Sequence, residues 1–264
     1  MKIVIVHPTR SRPDKVLETA RKWMREVPDT DYSPADVEYH LGVEATERDL
    51  YRDTIIELSK EFGGRFHVRY LEGERLTNEQ LSDPAFEMPK VHNKYLTAGT
   101  KCTTLIEDAC FRADWFITVA DDLHPCPEWE RMMRETLNAL KGTVAVVGYY
   151  AELIRKMVSH PVFTREFFEW NNRTFMNLEY VHTHADVDLW MEAIGAGVLH
   201  CFPPTVWVDH HHPALGAPVA WDDLYILNNH RRVYAQGETV FWRRKAELEA
   251  KYGRTFNLTV GEPA

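Results

Sequence analysis

The chain opens with an unbroken apolar run, Ile3-Val4-Ile5-Val6, in which no polar position marks a solvent face. A strand buried on both faces of a parallel sheet reads this way, whereas a half-exposed strand alternates. The polar turn HPTRSRPD follows, and Pro13 or Asp14 opens a helical pattern, DKVLETARKWMREV. The same change of period recurs. VEYHLGVE (37–44) predicts a second strand, ERDLYRDTIIELSKEFGG (47–64) a helix closed by glycines, and RFHVRYLEG (65–73) a third strand. A polar loop with Pro84 and Pro89 leads to a helical pattern over 90–111, KVHNKYLTAGTKCTTLIEDACF, and then to the strand WFITV (115–119). Strands alternating with helices predict an α/β domain built on a mostly parallel sheet.

The alternation fades after a further strand at TVAVVGYY (143–150). Residues 159–197 are crowded with aromatic residues and histidines, with a helix from about Asp186 ended by Gly195 or Gly197. CFPPTVWVDHHHP follows, and then a largely helical segment over 221–253. No internal repeat, low-complexity tract or linker interrupts the chain, so a single domain over 1–264 is expected.

In open α/β sheets ligands sit outside the carboxyl ends of the strands. HPTRSRPD, Glu44 and the pair Asp121-Asp122 each follow a predicted strand, which places them on that edge. Adjacent carboxylates repel, and burying either is costly unless a cation compensates. A solvated turn is the plain explanation and a metal site the sharper one. Histidines elsewhere favour the second: HTHADVD spans 182–188 and DHHH spans 209–212. Asp122 with one of His210, His211 or His212, completed by water and phosphate oxygens, would hold Mn²⁺ or Mg²⁺ on a diphosphate.

Composition narrows the field. The chain has 264 residues, 44% hydrophobic and 27% charged, with a net charge of −9 and a pI near 5.8. That balance disfavours broad binding to nucleic acid. Basic clusters at 230–232 and 243–245, with Lys251 and Arg254, would have to form one face to reverse this. Four cysteines without a C-x-x-C pair read as reduced thiols, and no apolar run is long enough for a signal peptide or membrane span. A soluble cytoplasmic protein is expected.

The order of these motifs resembles glycosyltransferases of the GT-A fold, closest to the family 2-like group. IVIVHPTRSRP is similar to that group's first strand and nucleotide loop, and KVHNKYLTAGT to its lysine- and asparagine-bearing helix. WFITVADDLHPCPEWERMM resembles its metal-binding D-x-D strand end, ADVDLWMEAIGAG its E-D-x-D-L-x-x-R helix start, and VDHHHP its late metal-binding histidine. The likeness covers roughly residues 1 to 215. Val119 stands at the first acid of D-x-D, Ala185 at the first acid of the later motif and Glu192 at its arginine.

The resemblance implies a Rossmann-like GT-A domain with a nucleotide-sugar-binding half over 1–125, an acceptor and catalytic half over 126–215 and a C-terminal helical extension over 216–264. It implies a metal-dependent transfer of a sugar from a nucleotide diphosphate-sugar, a UDP-sugar being the group's commonest donor, to an acceptor hydroxyl, with inversion. A saccharide is the expected acceptor, with a protein or a modified nucleic-acid base as others. Pro8, Thr9, Arg10, Glu44, Lys90, Asn93 and Asp121 would bind the donor. Asp122 with His210 or His212 would hold the metal. Asp186 would be the general base, with Asp188 as its fallback. Trp170 and Asn172 would meet the acceptor, while Phe163, Phe167, Phe168 and Phe175 read as core.

Two other readings compete. HTHAD resembles the H-x-H start of the amidohydrolase and polymerase-histidinol-phosphatase groups, and DHHH would complete a zinc site for hydrolysis. In those groups H-x-H follows the first strand, and hydrolysis leaves PTRSRP unexplained. A GT-A-like binding protein without activity is the third reading, suggested by Ala185 and Glu192 and opposed by Asp122 and Asp186.

Overall fold

A computed structural model describes residues 1–25, 36–88, 96–211 and 222–258. Its centre is a seven-stranded sheet in the order β3-β2-β1-β4-β7-β6-β8. These strands are β1 (Ile3–Pro8), β2 (Val37–Glu44), β3 (Phe66–Leu71), β4 (Trp115–Thr118), β6 (Val146–Gly148), β7 (Val162–Thr164) and β8 (Leu199–Cys201). The first four run parallel to one another, β7 is antiparallel to both β4 and β6, and β8 is again parallel to β6. The predicted α/β architecture with a mostly parallel sheet is therefore present.

The unbroken apolar run of β1 is explained by its two buried faces. Ile3 and Ile5 pack with Trp23 and Trp129 on one side, and Val4 and Val6 with Leu105, Ile106 and Phe163 on the other. The first side is covered by α1 (Pro13–Arg25), α2 (Arg48–Phe62) and α5 (Trp129–Leu140). The second is covered by α4 (Ala98–Ala109), α7 (Arg165–Trp170), α8 (Ala185–Gly195) and α10 (Arg231–Tyr252). Short helices α3 (Asn78–Ser82), α6 (Tyr150–Ile154) and α9 (Asp223–Asn228) connect these layers.

One boundary differs from expectation. Of the helical pattern predicted over 90–111, residues 90–95 lie outside the described residues, and α4 begins at Ala98, after Leu96 and Thr97, because Thr97 caps it. Its hydroxyl accepts from the Thr100 amide and its own amide donates to the Thr100 hydroxyl, closing a capping box. The Trp23 and Trp129 rings meet edge to face at 5.0 Å, a geometry worth about 0.5–1.5 kcal/mol beyond their burial. Trp23 Nε1 also donates to the Leu123 carbonyl at 2.9 Å. This bond fixes β5 (Leu123–Pro125), which pairs antiparallel with β9 (Val208–His210) in a ribbon beside the main sheet.

Helix α10 lies close against the segment that precedes α8. A methyl group on Gly237 would stand 2.3 Å from Thr183 Oγ1 and 2.7 Å from the Thr183 carbonyl oxygen. Gly237→Ala is therefore expected to destabilise by about 1–3 kcal/mol through overpacking. In an unconstrained helix the same change stabilises by up to about 1 kcal/mol. Urea denaturation reads the sign.

Candidate functional site

A cleft of about 990 Å³ opens beyond the carboxyl ends of β1 and β4. Pro8, Thr9, Arg10, Asp121, Asp122 and His210 lie on its wall, and Asp186 faces it from α8. Residues from sequence positions some two hundred apart thus share one cavity, as the strand-end argument required. Lys90, Asn93 and His212 lie outside the described residues.

The two adjacent acids are buried yet separately compensated. Asp121 Oδ1 accepts from Thr9 Oγ1 at 2.7 Å and lies 2.9 Å from His7 Nε2, while Oδ2 faces Arg12 Nη1 at 3.8 Å. His7 reaches Tyr39 through its other ring nitrogen, and Thr9 reaches the Tyr51 hydroxyl at 2.9 Å. Burial, with the Asp121 charge adding to it, holds the Tyr39 phenol neutral, its pKa far above the ordinary value. Tyr51 is pushed up for the same two reasons. Asp121 is thus anchored in the protein first, and Oδ2 is the oxygen it turns toward Arg12.

Asp122 belongs to the ribbon. Its carbonyl accepts from the His211 amide at 2.8 Å, and the Leu123↔His210 pairing brings His210 Nε2 within 3.6 Å of Asp122 Oδ1. One carboxylate oxygen and one imidazole nitrogen at that separation can share a divalent cation, with water and phosphate oxygens completing its shell. His160, which sequence reasoning missed, stands edge-on to His210 with ring centroids 4.7 Å apart. Its Nδ1 lies 2.9 Å from Glu152 Oε1. Burial pushes the imidazole pKa down, but Glu152 and the charges of Asp122 and Asp186 outweigh it and leave a net rise. One histidine therefore feels both the metal-site acid and the candidate base.

Asp186 sits in the first turn of α8, behind His184 in a left-handed conformation (φ 71°). Ser159 Oγ donates to Asp186 Oδ2 at 3.0 Å and the Val187 amide to Oδ1 at 2.9 Å, which orient the carboxylate. Asp188 does not join it. It is buried between α8 and α10, 3.4 Å from Arg244, and burial beside Glu192 raises its pKa to about 6 despite that arginine. The fallback base is a structural acid because it lies on the inner face of α8.

Glu44, at the end of β2, is fully buried and held by cations. Lys101 Nζ donates to it at 2.6 Å and to the Thr9 carbonyl at 3.0 Å, and Arg75 donates to its other oxygen. Burial lowers the Lys101 pKa while Glu44 opposes the shift. Lys101 was legible in principle, since it shares the buried stripe of α4 with Cys102 and Leu105 and a lysine there needs a partner.

Several expectations fail on geometry. Trp170 and Asn172 lie off the cleft at the end of α7, where Trp170 sits under Lys251, 5.7 Å from its ring centre. The exposed aromatic residues that do line the cleft are Tyr150 and Trp207. HTHAD and the described part of DHHH form no three-ligand cluster among the described residues, which removes the geometric basis of a zinc hydrolase. Several of the basic C-terminal residues already have partners within the chain. Arg232 donates to the carbonyls of Leu81, Asp83 and Phe86, Arg243 pairs with Glu179, and Arg244 pairs with Glu192.

This sheet order, ribbon and strand-end cleft are those of the GT-A fold. The chain is similar to the crystal structure of Staphylococcus aureus TarS residues 1–349, with a TM-score of 0.55, 12% identity, 98% of this chain covered and 76% of that one. It is also similar to glucosyl-3-phosphoglycerate synthase from Mycobacterium tuberculosis in complex with Mn²⁺, uridine diphosphate and phosphoglyceric acid. There the TM-score is 0.50 at 12% identity, covering 92% of this chain and 78% of that one. At the sequence level the chain matches no family model and no curated protein. No helix among the described residues is long and apolar enough to cross a membrane.

Lys101→Met is expected to cost about 3 kcal/mol, the low end for orphaning a buried charge because Arg75 still pairs with Glu44. Adding Glu44→Leu should recover most of the loss, since the uncompensated charge goes with it. Equilibrium unfolding of the single and double variants measures both.

Proposed function

We propose that the protein is a metal-dependent glycosyltransferase that moves a sugar from a nucleotide diphosphate-sugar to an acceptor hydroxyl in a single inverting displacement. The observation that carries this reading is the convergence of Asp122, His210, His160 and Asp186 on one cleft at the carboxyl ends of the strands. The M. tuberculosis synthase of the same fold was captured with Mn²⁺ and uridine diphosphate, which supports Mn²⁺ or Mg²⁺ as cofactor and a UDP-sugar as donor. Residues 1–125 form the donor half, 126–215 the acceptor and catalytic half and 216–264 a helical extension. A saccharide hydroxyl is the acceptor class we favour.

Asp122 and His210 hold the cation. When bound, it supplies Lewis-acid charge to the departing diphosphate. The chain's own groups do the rest. Pro8, Thr9 and Arg10 border the base and ribose, and Glu44, held by Lys101 and Arg75, fixes the charge balance beneath that loop. His160, with Nδ1 engaged by Glu152, keeps Nε2 as its remaining polar atom and stands edge-on to His210 at the cleft. Asp186, oriented by Ser159 and Val187, takes the proton that the acceptor hydroxyl sheds as it attacks the anomeric carbon. Trp207 offers an exposed ring on the cleft wall on which a sugar would stack.

Asp186→Asn should lower kcat by roughly 10²–10⁴-fold with donor affinity nearly unchanged, the signature of a lost base. A weakened donor Kd with kcat preserved would place Asp186 in the donor site instead. Asp122→Ala should abolish stimulation of turnover by Mn²⁺. Trp207→Ala should raise the acceptor KM and leave the donor KM as it was, which steady-state kinetics with each substrate varied in turn can separate.

A further inference from the structure

Away from the cleft, β2 and β3 bring three ligating side chains together. His40 and His67 are direct partners in the parallel register, and Glu38, two residues before His40, shares its face of β2. That face looks toward α4, since Gly42, in the same phase, lies against Leu105. Glu38 Oε2 is 3.1 Å from His40 Nε2 and 3.7 Å from His67 Nε2, and the three ligand atoms all fall within 4.8 Å of one another. The two imidazole rings stand 4.6 Å apart.

We propose that Glu38, His40 and His67 form a zinc site that ties the edge strand β3 to β2. Tetrahedral zinc with bonds of about 2.0–2.1 Å sets its ligand atoms about 3.3–3.4 Å apart, between the two separations seen here. Two imidazoles and one carboxylate favour zinc over magnesium or calcium. Three further features fit. His67 Nε2 is shut off from solvent and has no hydrogen-bond partner, an expensive state for a ring nitrogen unless something binds it. Lys2 occupies only Glu38 Oε1, at 2.6 Å, and so leaves Oε2 to the histidines. A cavity of about 170 Å³ borders both rings. Arg112 and Arg69 border that cavity, Arg69 facing Asp108 at 3.4 Å, so one neighbouring cation is already balanced.

The site is separate from Asp122 and His210, and the ion would lie between two neighbouring strands. β3 is the edge strand, and β2, to which the ion would tie it, ends at Glu44. Metal-stripped protein in saturating Mg²⁺ is titrated with Zn²⁺ by calorimetry and with Co²⁺ by visible absorption, for the unmodified chain, His67→Ala and Asp122→Ala. The expected result is one saturable equivalent of Zn²⁺ with tetrahedral Co²⁺ bands, retained in Asp122→Ala and lost in His67→Ala. Zn²⁺ should also raise Tm in the unmodified chain and in Asp122→Ala, and not in His67→Ala. His67 is half-buried, so its truncation should leave the fold intact, and His67→Gln with a far-ultraviolet circular dichroism spectrum guards against a folding defect. Absence of saturable Zn²⁺ binding in the unmodified chain, or binding unchanged in both His67 variants, would overturn the proposal.

Discussion

Two carboxylates side by side at the end of a buried strand are the constraint around which the site is arranged. At 4 Å, like charges repel by about 4 kcal/mol even at an effective dielectric of 20. The fold meets that cost by sending the two groups to different partners. Asp121 turns into the protein, where Thr9, His7 and Arg12 surround it, and Asp122 turns to the β5–β9 ribbon and His210. The ribbon exists because Leu123 is pinned by Trp23 and paired with His210. Packing in the aromatic core is thereby linked to the position of the metal-site acid.

The same principle extends outward from the pair. Glu44 is fully buried, and Lys101 and Arg75 neutralise it; Arg12 continues to Asp222 through two hydrogen bonds of 2.8 and 2.6 Å. The Arg12 contact joins the first loop of the chain to the segment that begins α9. On the proposed function, a diphosphate would meet cations already held in place, which do not need to be ordered on binding. Preorganised charge in a water-poor cleft is worth far more than the same charge in water.

Much of the fold could be read from the sequence, for reasons visible in particular residues. Ile3 to Val6 lack a polar face because both faces are buried, and the Asp121-Asp122 pair marked a strand end that does border the cleft. Helix α8 begins one residue before its expected start. Other features depend on contacts that no local pattern encodes. His160 gains meaning only from the nearness of His210, Glu152 and Asp186, and the Arg12–Asp222 pair spans most of the chain. Trp170 was a reasonable choice for an acceptor contact by position, but α7 carries it off the cleft. The weight of the basic C-terminal residues was also beyond the sequence, since charge counts ignore intramolecular partners and Arg232, Arg243 and Arg244 have them.

The central claim is that Asp122 and His210 hold a divalent cation for a nucleotide diphosphate. The most direct measurement is calorimetric titration of the protein with a panel of nucleoside diphosphates, first with Mn²⁺ and then with a chelator, repeated on Asp122→Ala. The account predicts that one nucleotide, uridine diphosphate foremost, binds with Mn²⁺ and loses most of its affinity in chelator, and that Asp122→Ala removes the difference. Binding that is indifferent to metal, or the absence of binding by every nucleotide in the panel, would contradict it.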